Sequence, residues 1–131
     1  MGGQRAIVLR LLEGPIMFCS FANDPMTIPC KSPVTSSGSS RAVTGLYCAL
    51  SSNEGDSWSA RRLVSDDGAG TLLESLDGQI FVMGFATAEP KGYLSARQSL
   101  KTNLIHLISS RQHYRFNLAW LQAPAPCTIA D

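Results

Sequence analysis

Apolar positions along the chain fall into short runs: "AIVLRLL", "PIMFCSF", "GLYCALS", "ARRLVS", "GTLLESL", "QIFVMGF", "YLSARQSL", "LIHLISS" and "YRFNLAWL", cut by Gly, Pro, Asn and Asp. Each is shorter than an average helix, and several alternate apolar with polar residues, the period that sends successive side chains to opposite faces of a strand. The pattern predicts an all-β chain. Turn chemistry agrees: "EGP" at 13–15, "LDGQ" at 76–79 and "KTN" at 101–103 each join two runs through a few residues, predicting three hairpins. "LLEGPIMF" and "SLDGQIFV" form a weak internal repeat, with Leu and Ile in matching places around the turn.

Between residues 23 and 41 the composition shifts to Pro, Ser, Thr and Gly, which predicts a long loop. The tail "APAPCTIAD" is expected to lie across the surface or to fray.

Composition narrows the function classes. With 131 residues, 44% of them hydrophobic, the chain is one domain or a piece of one. Eleven basic and ten acidic residues leave a formal charge of +1, and the basic residues are scattered apart from Arg61 and Arg62, so neither nucleic acid nor an anionic membrane is expected as a partner. Cysteines at 19, 30, 48 and 127 match no zinc or redox spacing. They read as buried free thiols, with a Cys19–Cys48 disulfide as the open alternative, because both lie in apolar runs that can neighbour one another. Arg5, Arg10 and Glu13 interrupt the N-terminal apolar residues, so neither a signal-peptide core nor a membrane span is expected, and the compartment stays open. No phosphate loop, H-E-x-x-H or G-x-S-x-G pattern occurs, and neither a metal nor a cofactor is expected.

One stretch has a spacing with physical logic. In "SSNEGDSW", residues 51–58, Ser51 and Asn53 can hydrogen-bond the backbone of a tight turn, Gly55 can supply a positive φ, and Trp58 can fold back onto the sheet. The order S-x-N-x-G-x-x-W resembles the Asp-box, or BNR repeat, of sialidase-like β-propellers, with Asn53 where the family usually has Asp. The box lies between two apolar runs, as it does between the third and fourth strands of such a blade. "QRAIVLRLLEGPIMFCSF" looks like the opening strands of a blade, and "AEPKGYLSARQSLKTNLIHLISSRQHYRFNLAWL" looks like another.

The resemblance implies a partial β-propeller of about two four-stranded antiparallel blades: residues 1–68 as the first blade, 71–87 as an extra hairpin and 92–122 as a second, incomplete blade. A closed propeller needs at least about four blades, whereas this chain supplies roughly seven to nine strands. Open blade edges would then favour self-association.

In sialidase-like enzymes the active site lies on the rim opposite the Asp-box turn. The family holds the carboxylate of a sialic-acid-like sugar with three arginines, and uses a glutamate-activated tyrosine as nucleophile and an aspartate as acid/base. On this chain the resemblance puts Glu89 and Tyr93 forward as a base and its partner, Arg5 and Arg111 as carboxylate ligands, and His113 as a further contact on that rim. His106 alternates with Ile105 and Leu107 and has no expected ligand partner; Trp120 is expected in the core or stacked on a sugar. The implied activity is exo-hydrolysis of a sialoside by a glycoside hydrolase, with this chain too short for a complete site. The rival readings are a non-catalytic carbohydrate-binding or assembly module, and an unrelated β-sandwich in which residues 51–58 form an ordinary turn.

Overall fold

The computed structural model describes residues 6–31, 39–65, 70–75, 78–84, 86–123 and 125–126. The chain is mostly β, in antiparallel sheets. Strands β1 (Ala6–Arg10), β2 (Ile16–Lys31), β3 (Ser39–Ser51) and β4 (Ser59–Leu63) form a meander in the order β1-β2-β3-β4. The first hairpin closes where "EGP" predicts it: the Leu11 N–H donates to the Pro15 carbonyl at 2.8 Å, and Gly14 takes φ +123°. Alternation then sorts the faces. Met17, Cys19, Leu46, Cys48 and Leu50 point into the core, while Phe18 and Tyr47 pack on the other face with ring centroids 6.2 Å apart.

The long loop expected over residues 23–41 is, over much of its length, a two-stranded ribbon. β2 and β3 break register between Ala22 and Met26, then pair again from Met26↔Val43 to Cys30↔Ser39. Pro25 falls within that irregularity, where a residue lacking an N–H costs no ladder bond. Beyond it Ile28, Cys30 and Val43 are buried, and this sparse apolar set holds the ribbon despite its Pro, Ser and Thr content.

The reading of the cysteines as free thiols is also corrected. Cys19 and Cys48 stand directly opposite in the β2–β3 register, Cα atoms 4.2 Å apart, and form a disulfide. No cysteine among the described residues is a free thiol.

β3 changes partner along one edge. Tyr47 and Cys48 pair with Leu63 and Arg62 of β4, but from Thr44 to Leu46 residues 86–89 take over. The Thr44 N–H donates to the Ala86 carbonyl (3.0 Å), the Ala88 N–H to the Thr44 carbonyl (2.9 Å) and the Leu46 N–H to the Glu89 carbonyl (2.8 Å). Gly45 sits at this crossing with φ +105°, and a Cβ there would lie 2.4 Å from the Ala88 carbonyl oxygen.

Two further sheets follow. β5 (Thr71–Glu74) and β6 (Ile80–Met83) form a hairpin that leaves Leu72, Ile80 and Val82 exposed. β7 (Ser95–Gln98), β8 (Ile105–Ile108) and β9 (His113–Phe116) form a three-stranded meander. Its Ile105, Leu107 and Phe116 join Leu11 of the β1–β2 turn and Met17 and Leu46 of the first sheet in one core. Gln98 ties the ends of the two sheets together: its Oε1 accepts from the Leu12 N–H (2.6 Å), and its Nε2 donates to Glu13 Oε1 (2.8 Å) and the Asn103 carbonyl (2.9 Å).

The run "YRFNLAWL" is not one strand. It breaks at Asn117, whose side-chain oxygen accepts from the Trp120 N–H at 2.9 Å and caps helix α1 (Leu118–Gln122). Trp120 therefore rides on a helix, 5.2 Å from the Phe116 ring, with the Arg62 guanidinium 4.2 Å above its own. Arg62 Nη1 also donates to the Ala123 carbonyl at 3.0 Å. Two residues of the tail follow as β10 (Ala125–Pro126), parallel to the end of β2. No helix among the described residues is long and apolar enough to cross a membrane.

Candidate functional site

The turn between β3 and β4 is closed by its own side chains. Buried Ser51 accepts the Gly55 N–H on Oγ at 2.8 Å and donates to Asn53 Oδ1 at 2.9 Å. Asn53 Oδ1 also accepts the Ser57 N–H (3.0 Å), and Asn53 Nδ2 donates to Ser57 Oγ (2.8 Å). Glu54 and Gly55 both take positive φ, 62° and 90°, which reverses the chain within the octet. The indole of Trp58 then returns over the turn: its Cζ2 lies 3.8 Å from where a Gly55 Cβ would stand, and its ring centroid is 5.7 Å from that of Phe18. An ion pair from Arg10 to Glu54 joins this turn to the end of β1. The amide at position 53 thus supplies the two acceptor contacts that a carboxylate would, and adds a donor to Ser57.

The opposite end of the sheets carries most of the other candidates. Glu89 is fully buried, and its Oε1 accepts the Tyr114 hydroxyl at 2.8 Å. Oε2 has no well-formed hydrogen bond. The nearby Ser109 Oγ already receives the Gln112 and Arg111 N–H groups at 2.9 and 3.3 Å. Burial pushes the Glu89 carboxyl above the usual carboxylate range, and the Ser109 and Tyr114 hydroxyls draw it partly back. Burial, then the adjacent Glu89 charge and its hydrogen bond, raise the Tyr114 phenol far above its ordinary value, so it stays protonated.

Glu89 therefore meets a tyrosine, but not the one expected. Tyr93 is exposed, and its N–H donates to Ser110 Oγ at 2.9 Å. Tyr114 is in β9, and β8–β9 pairing brings it to Glu89 from 25 residues away. The available sequence signal was the alternation of aromatic Tyr114 and Phe116 with polar His113 and Arg115. Arg111 Nη1 donates to Glu74 Oε2 at 3.0 Å, both side chains about half exposed. His113 stacks on His106, Nε2 to Nδ1 3.0 Å and ring centroids 5.2 Å apart, giving His106 a partner that its sequence context did not suggest. Arg5 lies outside the described residues. Among the described residues no cluster of three or more His, Cys, Asp or Glu side chains suits a metal ion. Tyr114 and Trp120 line a cleft of about 590 Å³ together with Val64, Ser65, Met83 and Asn117.

The buried carboxyl has a pH signature. Its folded-state pKa exceeds its unfolded one, so the native chain binds more protons between the two values. The Glu89 contribution to stability is full below the ordinary glutamate range and is lost as pH rises through the raised value. Glu89→Gln keeps an acceptor for Tyr114 and removes the titration. Denaturant midpoints measured from about pH 4 to about pH 8 should fall with pH relative to the Gln variant; parallel profiles would show that Glu89 titrates alike in both states.

Comparison with known proteins finds no family model, no curated protein and no solved structure that matches this chain.

Proposed function

We propose that the chain is part of a sialidase-like, Asp-box β-propeller from the glycan-acting class, and that it does not hydrolyse a sialoside by itself. The observation that carries this reading is the self-closed turn of Ser51, Asn53, Gly55 and Trp58 between the third and fourth strands of an antiparallel meander. An Asp-box occupies that place in a sialidase-like blade. The β7–β9 meander is read as a second blade whose fourth strand is missing, with α1 in the chain after β9.

Chemistry argues for the catalytic half of the proposal. A nucleophilic tyrosine needs a reachable oxygen and a base that takes its proton. Tyr114 donates to Glu89, but burial of both groups keeps the proton on the phenol. Arg111 is engaged by Glu74, which competes with a sugar carboxylate for the same guanidinium. Tyr93, exposed beside Ser110, has no carboxylate bonded to it among the described residues. Exo-hydrolysis at a sialic-acid-like sugar is on this reading the property of a complete propeller. Incubating the purified chain with a fluorogenic sialoside should release no fluorophore above the uncatalysed rate. Robust turnover, unchanged by Arg5→Ala, would overturn both the incompleteness of the site and the assignment of Arg5 to it.

The rival reading, a non-catalytic carbohydrate-binding module, gains from an aromatic groove on the face of the first sheet.

A further inference from the structure

The outward face of the first sheet holds a groove of about 440 Å³ at its Asp-box end, within the size range of small-ligand sites. Phe18, Tyr47 and Trp58 wall it, Met26 helps line it, and Arg61 of β4 opens onto it. The rings are mutually tilted by 56–57°, so they form a concave corner rather than a flat stack.

What distinguishes the groove is that its polar groups are uncommitted. Arg61 is exposed and makes neither a hydrogen bond nor an ion pair with any described residue. The same holds for the Tyr47 hydroxyl and the Trp58 indole N–H, and neither atom is buried, so both face water. This contrasts with Arg10, Arg62 and Arg111, each of which has a partner within the chain. A guanidinium without a carboxylate, set beside aromatic walls, is complementary to an anion on an apolar or C–H-rich body. The phenol and the indole N–H add one donor/acceptor and one donor for hydroxyl groups. Aromatic faces accept the C–H face of a sugar ring, and the polar tips of Tyr and Trp suit a ligand wet on one side.

We propose that the groove formed by Phe18, Tyr47, Trp58 and Arg61 binds a carboxylated pyranose, with Arg61 pairing the carboxylate and the indole and phenol rings holding the sugar. The ligand class rests on the glycan-associated reading above; the location does not, because the groove lies on the sheet face and not at the end that carries Glu89 and Arg111.

The test uses the full chain, labelled with ¹⁵N and titrated with glucuronate, methyl glucoside and benzoate while backbone and indole signals are followed. Glucuronate should shift the Trp58 indole and the Phe18, Tyr47 and Arg61 amides with a Kd of about 1 mM, the scale expected for a ligand of this size. Methyl glucoside, lacking the charge, should bind about tenfold more weakly, and Arg61→Gln should weaken glucuronate by a similar factor. Tyr47→Phe should weaken it severalfold while leaving the fold intact. Three results would overturn the proposal: no shift at these positions with glucuronate, benzoate binding there in preference to glucuronate, or shifts of the same signals on dilution without ligand, which would make the groove a contact between copies of the chain. Sialoside turnover is measured separately, so failure of the groove leaves the propeller reading standing, and the reverse.

Discussion

Gly45→Ala is expected to destabilise the chain by about 3 kcal/mol or more, and to abolish folding if the total stability is small. Two costs combine at this position. The backbone holds φ +105°, a conformation that L side chains rarely adopt, and the added methyl carbon would stand 2.4 Å from the Ala88 carbonyl oxygen and 2.8 Å from the Ala88 nitrogen. Those are backbone atoms of a segment held to β3 by the Ala86, Ala88 and Glu89 hydrogen bonds to Thr44 and Leu46, so no side chain can swing away to make room. Relief requires residues 86–89 to leave β3, which also removes the cover from Glu89. Gly14→Ala separates the two costs, because Gly14 has φ +123° with no atom within 4 Å of the added carbon. It should lose only about 1 kcal/mol, the conformational part. Denaturant midpoints of the two variants measure the difference. Equal losses would show that residues 86–89 do not press against β3.

Breaking the Cys19–Cys48 disulfide should have a comparable effect. The bond closes a loop with a sequence separation of 29 residues, for which chain entropy gives about 3–4 kcal/mol of stabilisation. Both cysteines are fully buried between the sheets, so reduction of the folded chain is expected to need an opening of the β2–β3 pair. Once reduced, the chain should unfold at a lower denaturant concentration with a similar dependence on denaturant. Cys30 is disulfide-bonded as well, so full reduction breaks more than this bond, and the Cys19→Ala/Cys48→Ala variant isolates it: it should unfold at a lower denaturant concentration than the oxidised protein, with about 1 kcal/mol of further loss from the buried sulfur. Identical midpoints for oxidised and reduced protein would overturn the assignment.

Features written in neighbouring residues were legible in the sequence. The β1–β2 and β7–β8 turns follow from Gly14 at positive φ and from Asn103, which takes φ 60°. The residues that close the turn over 51–58 were likewise visible as an octet. What escaped was either masked by composition or dependent on distant partners. Buried Ile28, Cys30 and Val43 alternate among prolines, serines and threonines, so the ribbon's apolar face is too sparse to stand out. The helix after β9 is announced by a single capping residue, Asn117, within a run as apolar as a strand. Glu89 and Tyr114 meet only because residues 86–89 run alongside β3 and β9 folds back along β8, a coincidence of topology that no local spacing encodes.

A helix of five residues has too few internal bonds to persist in water by itself. Here Arg62 stacks on its indole and accepts the job of satisfying the Ala123 carbonyl, so α1 borrows its order from β4. Leu121, buried in the core, and the Trp120 ring against Phe116 anchor the helix further, so it is a product of tertiary docking and not of its own backbone bonds.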